Sequence, residues 1–190
     1  MQVVFFLVKT FGYLYIWVLI LRIMLQWIRA DYRNPISQFV VRTTNPLVIP
    51  LRRVVPPFRG FDTATFVAVF LVQFILCIVL IYMAYQTIPG FWKLAYVTAL
   101  RLIYATLQLY MFILIVWVIM SWVAAGQYNP VSILFARLSE PLLAPIRRII
   151  PPIGGLDLSA LFVIIGLQAL MLLIRVPSGY EIVFWRGAWI

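Results

Sequence analysis

The chain contains no histidine. That excludes a His-ligated haem and any histidine acid–base chemistry within one chain. The single cysteine, Cys77, lies in an apolar run. It can form no internal disulfide, and alone it cannot build a thiolate zinc or iron–sulfur site. Acidic residues number five: Asp31, Asp62, Glu140, Asp157 and Glu181. None falls deep inside an apolar segment, so no carboxylate relay for ion-coupled transport is expected. A glycine-rich phosphate loop and a G-x-S-x-G nucleophile turn are both missing. These absences leave no catalytic residue, metal site or cofactor to expect, and the chain is not expected to be an enzyme.

Apolar sequence is abundant. Hydrophobic residues make up 65% of the chain and charged residues 11%, against ~25% charged in ordinary soluble domains. This is the composition of an integral membrane protein. In that setting a net charge of +10 reports topology and anionic lipid before nucleic acid, and no direct nucleic-acid partner is expected. A bilayer core needs ~20 helical residues. Four segments qualify, at about 3–28, 64–88, 97–125 and 158–174. Pro89-Gly90 and Pro177 mark helix stops. The first segment lacks a small-residue cleavage site and reads as an uncleaved anchor. Lys9, Arg22 and Arg101 lie within a few turns of helix ends, where their stems are expected to snorkel to the interface. Gln73 and Gln168 fall inside spans; each is expected to bond a neighbouring helix, with a polar path lined by Gln73, Gln168 and Arg22 as the sharper alternative.

A shift of 95 residues lays the second half on the first, giving repeats 1–95 and 96–190. From Asn34 to Asp62 the halves are identical at 13 of 29 positions. Asn34-Pro35 meets Asn129-Pro130, Pro46 meets Pro141, and Arg52-Arg53 meets Arg147-Arg148. Pro56-Pro57 meets Pro151-Pro152, Gly60 meets Gly155, and Asp62 meets Asp157. The spans agree more sparsely, so the linker within each half is the better preserved part. Two spans per half make the repeats parallel, related by an axis along the membrane normal. Both linkers then share one side and carry most of the arginines, which places them in the cytoplasm and both termini outside.

Within each linker Asn34 or Asn129 caps a helix and the following proline suits its first position. Ile36, Phe39, Val40 and Thr43 form a stripe of helical period, as do Val131, Leu134, Phe135 and Leu138. Pro46 or Pro141 is expected to end that helix. Pro50 or Pro145 then opens a shorter interfacial turn, with Leu51, Val54 and Val55, or Ile146, Ile149 and Ile150, on its apolar face. The arginine pairs point elsewhere, toward phosphate or a partner. Arg-Arg beside a span also serves as a plain topology signal. Asp62 and Asp157 are expected to cap the following spans, and a salt bridge to the arginine pair is the more specific alternative. The expected fold is all-α: four transmembrane helices in two parallel-repeat hairpins, with amphipathic interfacial helices in the linkers.

The doubled pattern N-P-x-S, P-x-x-x-P, R-R, P-P, G-x-D resembles the YGGT (YlmG) family of small membrane proteins of bacteria and chloroplasts, in its two-copy, four-span bacterial form. The resemblance runs over roughly 1–174. It implies an inner-membrane or thylakoid location and no established enzymatic activity. Family members are linked to osmotic stress and cation uptake, cell-division gene neighbourhoods, nucleoid distribution and haem attachment to a photosynthetic cytochrome. Phe58-Arg59 against Ile153-Gly154 shows that the halves are not interchangeable. The leading expectation is a non-enzymatic inner-membrane scaffold or assembly factor. It would bind anionic lipid and membrane-protein partners through Arg52, Arg53, Arg147, Arg148, Ile146, Ile149 and Ile150, and a homo-oligomer is a further expectation. The rival is a channel or accessory subunit for cation transport. The aromatic tail with Tyr180, Phe184, Trp185 and Trp189 reads as an interfacial anchor.

Overall fold

The structure is a computed structural model that describes residues 2–57, 62–123, 129–149, 159–174 and 180. The expectations for Gly60, Ile150, Pro151, Pro152, Gly155, Asp157 and the tail beyond Tyr180 lie outside the described residues. Six helices follow in order: α1 Gln2–Trp27, α2 Pro35–Val54, α3 Thr63–Tyr85, α4 Phe91–Val123, α5 Pro130–Ile149 and α6 Ser159–Leu173. No strand occurs among the described residues. Three stretches are long and apolar enough to cross a membrane: Gln2–Trp27, Thr63–Tyr85 and Phe91–Ser121. The fourth apolar helix, α6, has 15 residues, fewer than the ~20 that a bilayer core needs. This is an all-helical membrane protein.

The span boundaries follow local chemistry. Asp62 caps α3 by accepting from the Thr65 N–H. Gln86 closes α3 in the left-handed region (φ 55°), its N–H returning to the Tyr82 carbonyl. The helix therefore stops before Pro89-Gly90. The Gly90 carbonyl then accepts from Leu94 N–H and opens α4, six residues earlier than hydropathy places its start.

Helix α1 packs on α3 and more lightly on α4, and α3 packs on α4. Between spans there is no hydrophobic driving force, so close van der Waals fit carries the association. Gly12 shows how close that fit is, since a Cβ there would fall 2.6 and 2.8 Å from the Leu76 methyls. The two halves meet at equivalent positions: the rings of Trp17 and Phe112, which the 95-residue shift superposes, lie 5.7 Å apart.

The linker helices correct the sequence reading. Each is one continuous helix of 20 residues, with Pro46 and Pro50 inside α2 and Pro141 and Pro145 inside α5. Pro46 and Pro141 end nothing. A proline removes one bond to the residue four earlier, and all four prolines are exposed. The orphaned carbonyls of Arg42, Pro46, Arg137 and Pro141 thus lie on the outer face, where they need no protein partner. The buried face of α2 is Ser37, Val40, Thr44 and Val48, and that of α5 is Leu134, Leu138, Ser139 and Leu143. Phe39, placed by periodicity in the apolar stripe, is exposed while its counterpart Leu134 is buried. Helix α2 packs against α1 and α3, and α5 against α4 and α6.

Candidate functional site

A polar node joins the first three helices where α1 ends, α2 lies alongside and α3 begins. Arg22 Nη1 donates to Thr44 Oγ1 at 2.6 Å and to Asn45 Oδ1 at 3.0 Å. Its Nε stands 3.9 Å from Asp62 Oδ2. Arg52 Nε donates to Asp62 Oδ1 at 3.2 Å, and its Nη2 bonds Oδ2. Thr65 Oγ1 adds a third donor to the carboxylate at 2.6 Å. Arg22, Thr44, Asp62 and Thr65 are all buried. A snorkelling Arg22 is therefore corrected. Acceptors from α2 and α3 meet the guanidinium inside the fold, so it has no need to reach water. Burial alone would push the Asp62 carboxyl up; the hydrogen bonds from Arg52 and Thr65 outweigh it and hold the group below the ordinary carboxylate range. The same bond to Asp62 raises Arg52.

The arginine pair divides its labour. Arg52, itself half-exposed, closes the node with Asp62, and Arg53 is exposed beside it. In the second half Arg147 Nη1 bonds Glu140 Oε2 at 3.0 Å, and its guanidinium lies 5.4 Å from the centre of the Trp117 ring. Arg148 is exposed. Trp117 occupies the position equivalent to Arg22, and Glu140 the position equivalent to Asn45. The apolar face divides too. Ile146 packs against the α4–α5–α6 core, whereas Ile149 and its counterpart Val54 are exposed.

Both cap asparagines do what their sequence context predicts. Asn34 Oδ1 accepts from Ile36 N–H and Asn129 Oδ1 from Val131 N–H, each at 2.9 Å. Asn34 does more: its Nδ2 donates to the Pro130 carbonyl at 2.8 Å and ties the two linkers together. A cleft of about 240 Å³ opens at this junction, lined by Asp31, Arg33, Asn34, Pro130 and Arg137 among others.

A second buried polar group was missed by sequence reasoning. Arg101, expected at the interface, is fully buried in α4. Its guanidinium stacks 4.0 Å from the Tyr13 ring centre and 5.5 Å from that of Tyr104, and Nη1 donates to Gln108 Oε1 at 3.3 Å. Aromatic faces and an amide stabilise the cation in place of water. The signal was available in the i, i+3, i+7 spacing of Arg101, Tyr104 and Gln108, which puts all three on one helix face. Gln73 is also buried, but its Nε2 donates to Cys77 Sγ on its own helix at 3.2 Å, not to a neighbour. Gln168 is exposed on α6. The structure thus separates Gln73, Gln168 and Arg22. No group of three metal-ligating side chains occurs among the described residues.

The CCB3/YggT family matches residues 1–83 and 96–177, one match per half. An uncharacterized protein of Pseudomonas aeruginosa is 41% identical over 175 residues, covering 89% of this chain and 86% of the relative. An uncharacterized protein of Vibrio alginolyticus is 44% identical over 164 residues, covering 86% and 88%. The uncharacterized protein YggT of Escherichia coli K12 is 37% identical over 171 residues, covering 90% and 88%. No solved structure matches the chain.

Proposed function

The chain belongs to the CCB3/YggT family, and from that premise we propose that it is a non-enzymatic inner-membrane scaffold whose two linker helices hold anionic lipid and membrane-protein partners at the cytoplasmic surface. In this reading α6, lying in the apolar run at about 158–174, forms a fourth span. The halves are parallel hairpins with both termini outside.

One observation carries the proposal. The sequence best preserved between the halves builds two helices, each fixed to the spans along one face and presenting arginine on the other. Arg42, Arg53, Arg137 and Arg148 are exposed, beside exposed Phe39, Ile49, Val54 and Ile149. Basic residues at an anionic leaflet contribute ~1 kcal/mol each, enough for four to hold a lipid-covered surface. The junction cleft, flanked by Arg33 and Arg137, suits a single phosphate headgroup. The transport rival draws less support, because Arg22 and Gln73 belong to separate clusters and Gln168 to neither.

The test is affinity purification from native membranes with proteins and lipids identified by mass spectrometry. Arg53→Ala/Arg148→Ala is expected to lose retained anionic lipid and partner proteins while melting like the wild type. Arg52→Ala/Arg147→Ala is expected to lower the melting temperature instead. Unchanged retention in the variant lacking all four arginines would refute the proposal.

A further inference from the structure

The repeat supplies an internal template for a surface that the chain leaves open. Helix α3 packs on α4 across the boundary between the halves. On α3 this seam buries Gln73 and Cys77; on α4 it buries Val97, Thr98 and Arg101, with Thr98 against Cys77. Under the 95-residue shift α3 becomes α6, and α4 becomes α1. A closed two-fold arrangement would pack α6 on α1 in the same way. Among the described residues α6 packs on α4 and α5 and makes no comparable seam with α1.

Both sides of the missing seam are bare. Thr98 is 0% exposed and its counterpart Val3 70%; Arg101 is 1% exposed and its counterpart Phe6 59%. On the other side Cys77 is 0% exposed and its counterpart Leu172 76%. Gln73 is fully buried, while Gln168 is exposed midway along an apolar helix. An amide facing hydrocarbon with no partner is costly, and such side chains commonly bond across helices. Tyr180, described beyond α6, lies beside Ile81 and Lys93 at the α3–α4 end.

We propose that this chain forms a two-fold dimer in the membrane, in which α6 of each copy packs on α1 of its partner as α3 packs on α4 within one copy. The occupant is a second copy because the two bare faces are complementary to each other by descent from one seam, and the chain carries both. A two-fold axis satisfies both at once and closes the assembly. The pairing rests on the reading of α6 as a fourth span, which sets exposed Val3 and Phe6 near the start of α1 and Leu172 near the end of α6 on the same side of the membrane. This interface is separate from the linker face and does not depend on its role.

The test uses two full-length chains with different tags, co-expressed in native membranes, one carrying Val3→Cys and the other Leu172→Cys. Mild oxidation is expected to give a mixed-tag disulfide dimer. The wild-type chain, with only buried Cys77, and an Ile133→Cys control are expected to give none. A single chain carrying both substitutions is expected to give the dimer band as well. Gln168→Leu, at an exposed position where folding is not at stake, is expected to weaken dimerisation roughly 3- to 30-fold by fluorescence transfer between labelled copies, the worth of one interhelical hydrogen bond. Ala169→Trp is expected to block it. Only an intramolecular cross-link in the double variant would overturn the proposal, since the seam would then close within one chain. Monomers that yield no mixed-tag product, with lipid alone on this face, would overturn it too.

Discussion

Asp62 accepts from Arg52 and Thr65, lies beside Arg22 and caps α3, so one carboxylate fixes three helices. Asp62→Ala removes the cap and leaves Arg22 buried without its counter-charge. Breaking a buried pair from one side costs about 3–5 kcal/mol, so a large drop in the melting temperature in detergent is expected. Asp62→Asn keeps a capping oxygen and should fall between. The pH dependence has a definite sign. The folded carboxyl titrates below its ordinary value. Its contribution to stability is therefore complete above the unfolded pKa of ~3.9 and is lost as pH falls through the lower folded value. Melting curves recorded between neutral pH and pH 3 should show an acid-dependent loss that Asp62→Asn lacks. Sequence reasoning reached the bond between this aspartate and the arginine pair but not Arg22, because two arginines sharing one aspartate leave no trace in spacing. The node is built from residues 22, 44, 52 and 62, which only the packing of α2 against α1 brings together.

Among the elements, α1 and α2 carry the sharpest expectations. Gly12 admits Leu76 to the α1 backbone, whereas its counterpart Leu107 is a side chain packed at the α4–α6 side. The α1–α3 contact is thus closer than the α4–α6 contact. Gly12→Leu should overpack that seam and cost about 1–3 kcal/mol, measured as a fall in melting temperature. Helix α2 gives the opposite sign. Pro50→Ala restores an N–H toward the Pro46 carbonyl on an exposed face, and about 1–2 kcal/mol of stabilisation is expected after the loss of proline's restraint on the unfolded chain. Three of the four expected spans were legible, because long apolar runs need no partner to be recognised. The continuous linker helices were not. Proline reads as a stop in isolation, and only the surface position of all four explains why the helices run through them. Phe39 misled for a related reason: period alone fixes a stripe's spacing, while the neighbouring spans fix which stripe is buried.

At the scale of the whole molecule, the halves are joined by Trp17 against Phe112, by Arg101 against Tyr13, and by Asn34 to the Pro130 carbonyl. A double-mutant cycle on Trp17→Ala and Phe112→Ala should show a coupling of about 0.5–1.5 kcal/mol, the worth of an aromatic pair beyond its area. The repeat was readable from the linkers, because identical words need no alignment. The broken symmetry was not. It resides in positions such as Arg22/Trp117 and Phe6/Arg101, where each half alone looks like unremarkable membrane sequence.

The exchange of Arg22 and Asn45 for Trp117 and Glu140 also limits how far one half can stand in for the other. Arg52 shares Asp62 with a second cation, Arg22, while Arg147 bonds Glu140 beside the Trp117 ring. A tryptophan at 22 would deprive Thr44 and Asn45 of their donor. A piecewise transplant of the second half's sequence into the first would therefore strand acceptors that the native arginine satisfies. The two copies are spare parts for different machines.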